Sequence, residues 1–387
     1  MVMTKMKAVD VVIVGGGVIG LSIAYVLARE GMAPVLLDRR EPGREASWAG
    51  AGLIPPIGEA RRDVPAHPLA ALRAWSARLY PEWAAALLDE TGIDPGFRRS
   101  GGVDVARTDR EAEALHASAG QWRSEGIAFE RIPPGDYARV EPALASDLRS
   151  VYFLPDRAQV RNPRLLQALI AAVERRGARI QPHRGAEGFV VEGGRIAAVR
   201  TADGEIPCGT VIVAAGAWSG GLLEPAGVRT PTPPIKGQIV LLKADRPILR
   251  RIVEHGRNYL VPRDDGRILI GATEEDVGFD TRPTAIGARV LLDEAIALCP
   301  ALGEAEVETT WAGLRPGSFD SRPYLGRATG MENLILATGH RRAGLQLAPA
   351  TAELVVDVVL NRAPRVDLSP FRPDRTPGSD AADAFRS

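Results

Sequence analysis

The sequence predicts an α/β protein in which a discontinuous Rossmann-like nucleotide-binding domain carries an inserted, antiparallel and β-rich second domain. Three observations predict this. Near the N-terminus an apolar run, Val9 to Val14, leads into Gly15, Gly17 and Gly20 in G-x-G-x-x-G spacing and then into an apolar-periodic helix, Ile19 to Arg29. Buried strands of similar character return late, at Thr210 to Ser219 (TVIVAAGAWS) and Leu334 to Ala337. Between them, from Pro231, the pattern changes to short strands separated by turns.

The first unit carries most of the chemistry. Gly15 permits the tight turn, Gly17 lets the backbone approach a pyrophosphate, and Gly20 lets helix and strand pack closely. The helix N-terminus adds unpaired N–H groups and the positive end of a dipole. A second strand, Pro34 to Leu37, ends in Asp38, whose carboxylate can accept hydrogen bonds from ribose hydroxyls. A glycine-rich turn that merely joins strand to helix would need none of this register. The motif alone does not choose between nicotinamide and flavin dinucleotides.

Composition narrows the class. The 387 residues suffice for two domains, and 45% apolar with 25% charged residues is ordinary for a soluble enzyme. Zero net charge offers no electrostatic footprint for nucleic acid or an anionic membrane. Cys208 and Cys299 are the two cysteines and have no C-x-x-C partner, so neither a metal site nor a disulfide framework is expected. The N-terminus MVMTKMKAVD lacks an apolar signal core, and no run reaches the roughly 18 apolar residues of a membrane span. A cytoplasmic location is expected.

The remaining elements follow in order. Arg39 to Ile57 is a loop rich in small residues, through which backbone N–H groups can approach a large flat ligand. Pro68 to Thr91 reads as a helix, with Leu69, Leu72, Trp75, Leu79, Trp83 and Leu87 at spacings of three and four. A strand within Phe97 to Ala106, a surface helix over Thr108 to Glu125, a short helix at Asp136 to Val140 and a strand at Val151 to Leu154 come next. Asn162-Pro163 starts a helix to about Arg176, Ala178 to Gln181 is a strand, and Phe189 to Arg200 turns at Gly193-Gly194 as a hairpin. After Thr210 to Ser219 come strands at Gly237 to Lys243, Tyr259 to Pro262, Ile268 to Ala272 and Val307 to Gly313, with a helix at Ile286 to Leu298. The last helix is expected from Ala350 to Asn361, and the Pro-rich tail beyond Arg362 is expected to be poorly ordered near its end.

Five segments together are specific: VVIVGGGVIGLSIAYVLA, ASWAGAGL, VIVAAGAWS, WAGLRPGSFDSRPYLGR and ATGHRRAGLQLAPATAELV. In these the chain resembles the D-amino-acid oxidase family of flavoproteins, and within it the glycine oxidase branch associated with the thiazole arm of thiamine synthesis. The resemblance spans residues 7 to 362. It implies FAD, held non-covalently, since no cysteine stands in the run around Asp320 to Pro323. It implies an FAD-binding domain from 7–92, 150–223 and 320–362, a substrate-binding domain from 93–149 and 224–319, and a partly disordered tail, 363–387. A homo-oligomer is also implied.

The same resemblance assigns positions. Val18 and Ile19 lie over the pyrophosphate, Asp38 and Arg39 by the adenosine ribose, Ala46 and Ser47 near the phosphates, and Ala51, Gly52 and Leu53 against the isoalloxazine. Ala186 contacts the adenine side. A C-terminal loop, His340, Arg341, Arg342, Ala343, Gly344, Leu345 and Gln346, presents N–H groups to the flavin ring. Arg315 in WAGLRPG pins the substrate carboxylate, Tyr259 in YLVPR supports it, and Arg342 is a second pocket arginine. His340 is weighed as a base, His255 as a residue that reaches the substrate mouth and Lys236 as a charge that assists oxygen, but a backbone requirement of the flavin loop is favoured for His340, an exposed loop position for His255 and a structural role for Lys236.

The implied reaction is oxidative deamination of glycine, sarcosine or a small D-amino acid by hydride transfer to the flavin, giving a keto acid, ammonia or an amine, and hydrogen peroxide with dioxygen as acceptor. Ala343, Gln346, Arg257, Asn258 and Glu274 depart from the branch pattern and leave the preferred amine open. Three alternatives stand beside it: a dehydrogenase of the same fold that passes electrons to a quinone or a partner subunit, as in hydrogen cyanide synthase; an NAD-dependent dehydrogenase; and a non-catalytic or tRNA-modifying flavoprotein.

Overall fold

The computed structural model describes residues 9–56, 58 and 68–376. The extreme N-terminus on which the absence of a signal was read, Ile57 at the end of the small-residue loop, and the tail end 377–387 lie outside the described residues.

Two eight-stranded sheets organise these residues. In the first, Leu334–Thr338, Gly204–Val213, Val9–Val14, Val35–Leu37 and Arg179–Gln181 lie side by side and parallel, with Tyr324–Arg327 antiparallel at one edge. Alternation along Val9–Val14 separates two cores. Val11 and Ile13 face a layer of four helices, Val18–Arg29, Pro68–Thr91, Asn162–Arg175 and Gly344–Val359. Val12 and Val14 face the opposite side, where the hairpin Ala186–Glu192 and Arg195–Thr201 packs. Full burial of an Ile or Val here contributes roughly 1.5–3 kcal/mol, so a register slip of one residue would exchange the two cores.

The second sheet runs Glu306–Pro316, Pro234–Lys243, Arg267–Gly271, Asn258–Pro262, Ile252–His255, Gly102–Ala106, Ser150–Leu154, Glu130–Ile132. It is antiparallel except where Ile252–His255 meets Gly102–Ala106. Helix Ala285–Leu298 covers one face. The other, with Ile239, Tyr259, Leu269 and Trp311, turns toward Ala51 and Leu53. Ser150–Leu154 pairs here and not in the first sheet, so the nucleotide-binding segment expected to resume at residue 150 resumes after this strand. Strands Ile252–His255 and Tyr324–Arg327 were not read from the sequence; each has only four residues.

The C-terminal helix begins at Gly344, well before the expected Ala350. Pro349 explains the misreading, because proline marks first-turn positions and is avoided inside helices. Its missing N–H strands the Leu345 carbonyl one turn back, and the Tyr80 hydroxyl donates to that carbonyl. Ser76 Oγ accepts from the next amide, Ala350, at 3.3 Å. Two side chains of Pro68–Thr91 thus complete the helix around its proline.

The tail is packed as far as Arg375: Phe371 is buried in the helix-side core, and both Arg375 Nε and Nη2 meet the Asp320 carboxylate at 2.9 Å. Among the described residues no helix is long and apolar enough to cross a membrane.

Candidate active site

A cavity of about 1200 Å³ runs between the two sheets. Its first end is built by the glycine motif. Gly15 has φ +107°, and a Cβ there would sit 2.5 Å from the Ala214 carbonyl oxygen, so glycine is required both by backbone angle and by the approach of the neighbouring strand. That contact brings Ala214 to Gly216 to the same wall as Gly15, as a shared nucleotide site requires. Gly20 does not line the cavity; a Cβ there would lie 1.9 Å from the Gly15 carbonyl, so it serves helix packing alone.

Side chains complete this end. Asp38 accepts from the Gly16 and Arg40 amides at 2.7 and 2.8 Å. Burial raises its pKa, and those amides oppose the shift. Ser47 Oγ accepts from the Val18 amide at 2.8 Å, so it caps the helix from a distance and keeps its own proton for a ligand. Arg39 pairs with Glu45 at 2.8 Å, and its guanidinium stacks 3.7 Å from the centre of the Trp218 ring. Ala186 lines the wall beside them.

The small-residue loop is not irregular throughout: Ala46–Ala49 forms a helical turn and Leu53–Ile54 a short strand. Gly52 has φ +73° and no room for a Cβ, which would lie 2.0 Å from the Val160 carbonyl. Two residues that sequence reasoning missed hold the loop. Asn162 Nδ2 donates to the carbonyls of Ser47, Trp48 and Gly50. Arg263, buried, donates to the Ala51 carbonyl at 2.7 Å and to Gln159 and Val160; burial pulls its pKa down to about 10. Arg263 ends the YLVPR run that contains Tyr259, and that proximity is the sequence signal for it.

Alternation along Glu306–Pro316 gives WAGLRPG its meaning. Trp311 Nε1 donates to the Ala49 carbonyl at 3.1 Å, and Gly313 leaves space for Ala49, whose Cβ lies 2.5 Å from where its own would stand. Two residues on, Arg315 faces the cavity. Its guanidinium lies across Gly237 on the next strand and donates to the Thr273 carbonyl at 3.1 Å. Tyr259 lies likewise across Gly271. Burial, together with Arg342 and Arg341, lowers the Arg315 pKa, and burial raises that of Tyr259. Ala51, Gly52 and Leu53 form the adjoining wall, with Arg342 at the rim donating to the Arg257 carbonyl at 2.7 Å.

The segment expected to be a loop, His340 to Gln346, is half helix. Gly344, Leu345 and Gln346 form the first turn, so their amides face the cavity at a helix N-terminus, where the dipole strengthens them as donors. Ala343 is buried behind the wall and does not line it. Arg341 holds a left-handed φ of +48°, fixed by its own amide on the Pro316 carbonyl and its side chain on Ser321 and Glu274.

The three residues weighed for other chemistry are placed by the structure. His340 is fully buried against Thr351, and burial lowers its pKa to about 3, so the ring stays neutral. His255 is neither at the substrate mouth nor on an exposed loop: it ends strand Ile252–His255, half-buried, and bridges Glu294 and Glu111 on the helical side of the second sheet. Lys236 is buried, pairs with Glu275 at 2.8 Å and does not line the cavity.

These residues fit a flavin dinucleotide. The wall offers a glycine turn, a helix N-terminus at each end, and the buried Gln346 Oε1 and Arg341 Nε, which have no partner among the described residues. Comparison with known proteins agrees. A family model described as DAO, FAD dependent oxidoreductase, matches residues 10–358. Glycine oxidase of Pseudomonas aeruginosa is 40% identical over 94% of this chain and 98% of that relative. The bifunctional ThiO/ThiG protein of Trichormus variabilis is 34% identical over 95% of this chain and 55% of its own length. The crystal structure of glycine oxidase from Geobacillus kaustophilus superposes with a TM-score of 0.91 at 33% identity, covering 96% of this chain and all of that one.

Proposed function

The chain belongs to the DAO family of FAD-dependent oxidoreductases, and from that premise we propose that it oxidises glycine or a comparably small amine bearing one α-carboxylate, with dioxygen as the acceptor. The observation that carries this reading is Arg315, laid over Gly237 beside Tyr259 at one end of a cavity whose other end is the dinucleotide turn. Similarity to a bifunctional ThiO/ThiG protein supports placing this activity in the thiazole arm of thiamine synthesis.

Bound FAD supplies a two-electron acceptor for the hydride of the substrate α-carbon. The cavity residues that would hold it are Gly15, Val18 and Ser47 for the diphosphate, Asp38 for the ribose and the amides of Gly344 to Gln346 for the ring. Arg315 binds the substrate carboxylate with a planar pair of N–H donors, and Tyr259 supports it through its hydroxyl. The raised Tyr259 pKa keeps that hydroxyl protonated as a donor. His340 is neutral and takes no proton from the amine. The chain's part is to align the α-carbon and exclude water.

Purified holoenzyme supplied with glycine tests this reading. Glyoxylate, ammonia and hydrogen peroxide in equal amounts are expected. Reduction of an artificial dye without peroxide would assign a different acceptor, and no turnover with glycine, sarcosine or D-alanine would overturn the reading.

A further inference from the structure

A substrate amino acid reaches the cavity as an ammonium, and hydride can leave its α-carbon only once the nitrogen carries a lone pair. The residues placed around its carboxylate do not take that proton: Arg315 is a cation, Tyr259 keeps its own proton and His340 is bonded to Thr351. The acids among the described residues that line the cavity are Asp38, Glu45 and Glu254. Asp38 accepts from the Gly16 and Arg40 amides and Glu45 pairs with Arg39, both at the nucleotide end. Glu254 is the acid of the substrate end.

Strand register puts it there. Glu254 stands opposite Tyr259 on one neighbouring strand and Asp104 on the other, so the three side chains share the face of the sheet turned to the cavity. Arg157 lies on that face over Gly102, where a Cβ would stand 2.5 Å from the arginine Cδ. Its guanidinium touches the Asp104 carboxylate and lies 3.3 Å from that of Glu254. Two carboxylates on one guanidinium leave one negative charge in excess, and Glu254 is the member on the cavity wall. Arg342 acts on it from the exposed rim, where its own hydrogen bond goes to the Arg257 carbonyl. Burial raises the Glu254 pKa and Asp104 adds to the rise, while Arg157 and Arg342 oppose it. Such a carboxylate takes a proton more readily than a free one, as a base for an ammonium must.

We infer that Glu254 is the counter-ion of the substrate ammonium and the acceptor of its proton, facing the ligand beside the carboxylate that Arg315 holds. The inference rests on the amine-oxidation reading and adds a catalytic residue to it. One ammonium N–H bond breaks and an O–H bond forms on the Glu254 carboxylate, leaving a lone pair on nitrogen. An α-carbon C–H bond then breaks, its electron pair leaving as hydride to the flavin while the lone pair forms the C=N bond. Water adds, the C–N bond breaks, and glycine yields glyoxylate and ammonium. Glu254 returns its proton to solvent, and dioxygen takes two electrons and two protons to become hydrogen peroxide.

Propionate, with a methyl group where glycine has its ammonium, separates the two ends of the ligand. In Glu254→Gln the glycine concentration that half-saturates anaerobic flavin reduction is expected to rise at least about tenfold, as when a charged hydrogen-bond partner is lost. Propionate, titrated by flavin absorbance, is expected to bind this variant at least as tightly as wild type. The reduction rate at saturating glycine falls in wild type as acid protonates Glu254; that fall is absent from Glu254→Gln and returns in Glu254→Asp. Wild type alone gives a further reading: above the titration of propionate itself, propionate binds more tightly as pH falls, because a protonated Glu254 no longer faces it with a charge. Equal weakening of glycine and propionate in Glu254→Gln, an acid limb that survives there, or wild-type propionate binding that ignores pH would overturn the inference while glycine oxidation stood. Wild type that oxidises no amine sinks the amine-oxidation reading, and the propionate titrations still decide whether Glu254 meets the ligand as a charge.

Discussion

The guanidinium of Arg315 occupies the space that a side chain at residue 237 would fill: a Cβ on Gly237 would stand 2.2 Å from Arg315 Nη2 and 2.5 Å from Cζ. Strand register places Gly237 opposite Gly313, two residues before Arg315, so the arginine reaches diagonally across the sheet. Gly237→Ala therefore displaces the arginine while leaving both strands paired. A rise in KM for glycine of about tenfold or more is expected, with a thermal midpoint close to wild type. An unchanged KM would show that the arginine's position is immaterial to binding.

Tyr80 supports the flavin end of the same cavity at second hand, through the Leu345 carbonyl that Pro349 leaves unpaired. Tyr80→Phe orphans a carbonyl next to the cavity wall and is expected to cost about 1–3 kcal/mol of stability. Denaturant unfolding measures that loss. Flavin release on dilution measures whether the helix N-terminus has loosened.

Asn162 ties three carbonyls of the small-residue loop, those of Ser47, Trp48 and Gly50, through one amide group. Asn162→Ala frees those carbonyls at once. The expected outcome is protein that folds but loses flavin on gel filtration, with kcat recovered when excess FAD is supplied.

A pH dependence follows from His255. Its ion pair with Glu294 raises the ring's pKa, burial opposes this, and Glu111 adds to the rise. The folded value thus lies above the unfolded one, and the stabilisation is fully present below the unfolded pKa of about 6.5. It is lost as pH rises through the folded value. Glu294 and Glu111 are held below the usual carboxylate range, Glu111 at about 2, so acid removes the same contact from the other side. His255→Gln should lower the thermal midpoint near neutral pH and match wild type at high pH; an equal deficit at every pH would show that packing, not charge, is lost.

Much of this was legible beforehand because the signals are local. Gly15, Gly17, Gly20 and Asp38 stand in one run of chain, and a short apolar run marked Val9–Val14 as a buried strand. What escaped depends on distant partners. Pro349 reads as a helix start until Tyr80, far away in sequence, is seen to satisfy the carbonyl it strands. Ser150–Leu154 is apolar enough for either sheet, and only its pairing with Gly102–Ala106 assigns it. Arg263 and Asn162 look like ordinary polar residues because their partners are backbone carbonyls of another segment. Arg315, Tyr259 and Arg342 were named from motif resemblance, and the fold brings all three to one cavity end.

Under the proposed reaction Arg315 holds a small amino acid's carboxylate for oxidation by the bound flavin. Anaerobic mixing of holoenzyme with glycine, followed by flavin absorbance, tests it without involving oxygen. Wild type should bleach with a rate that saturates in glycine. Arg315→Met, still carrying its flavin, should require at least about a hundredfold more glycine for the same rate, as expected when a charge-assisted pair is lost from a buried site. Bleaching of the variant at the wild-type rate and concentration would contradict the account.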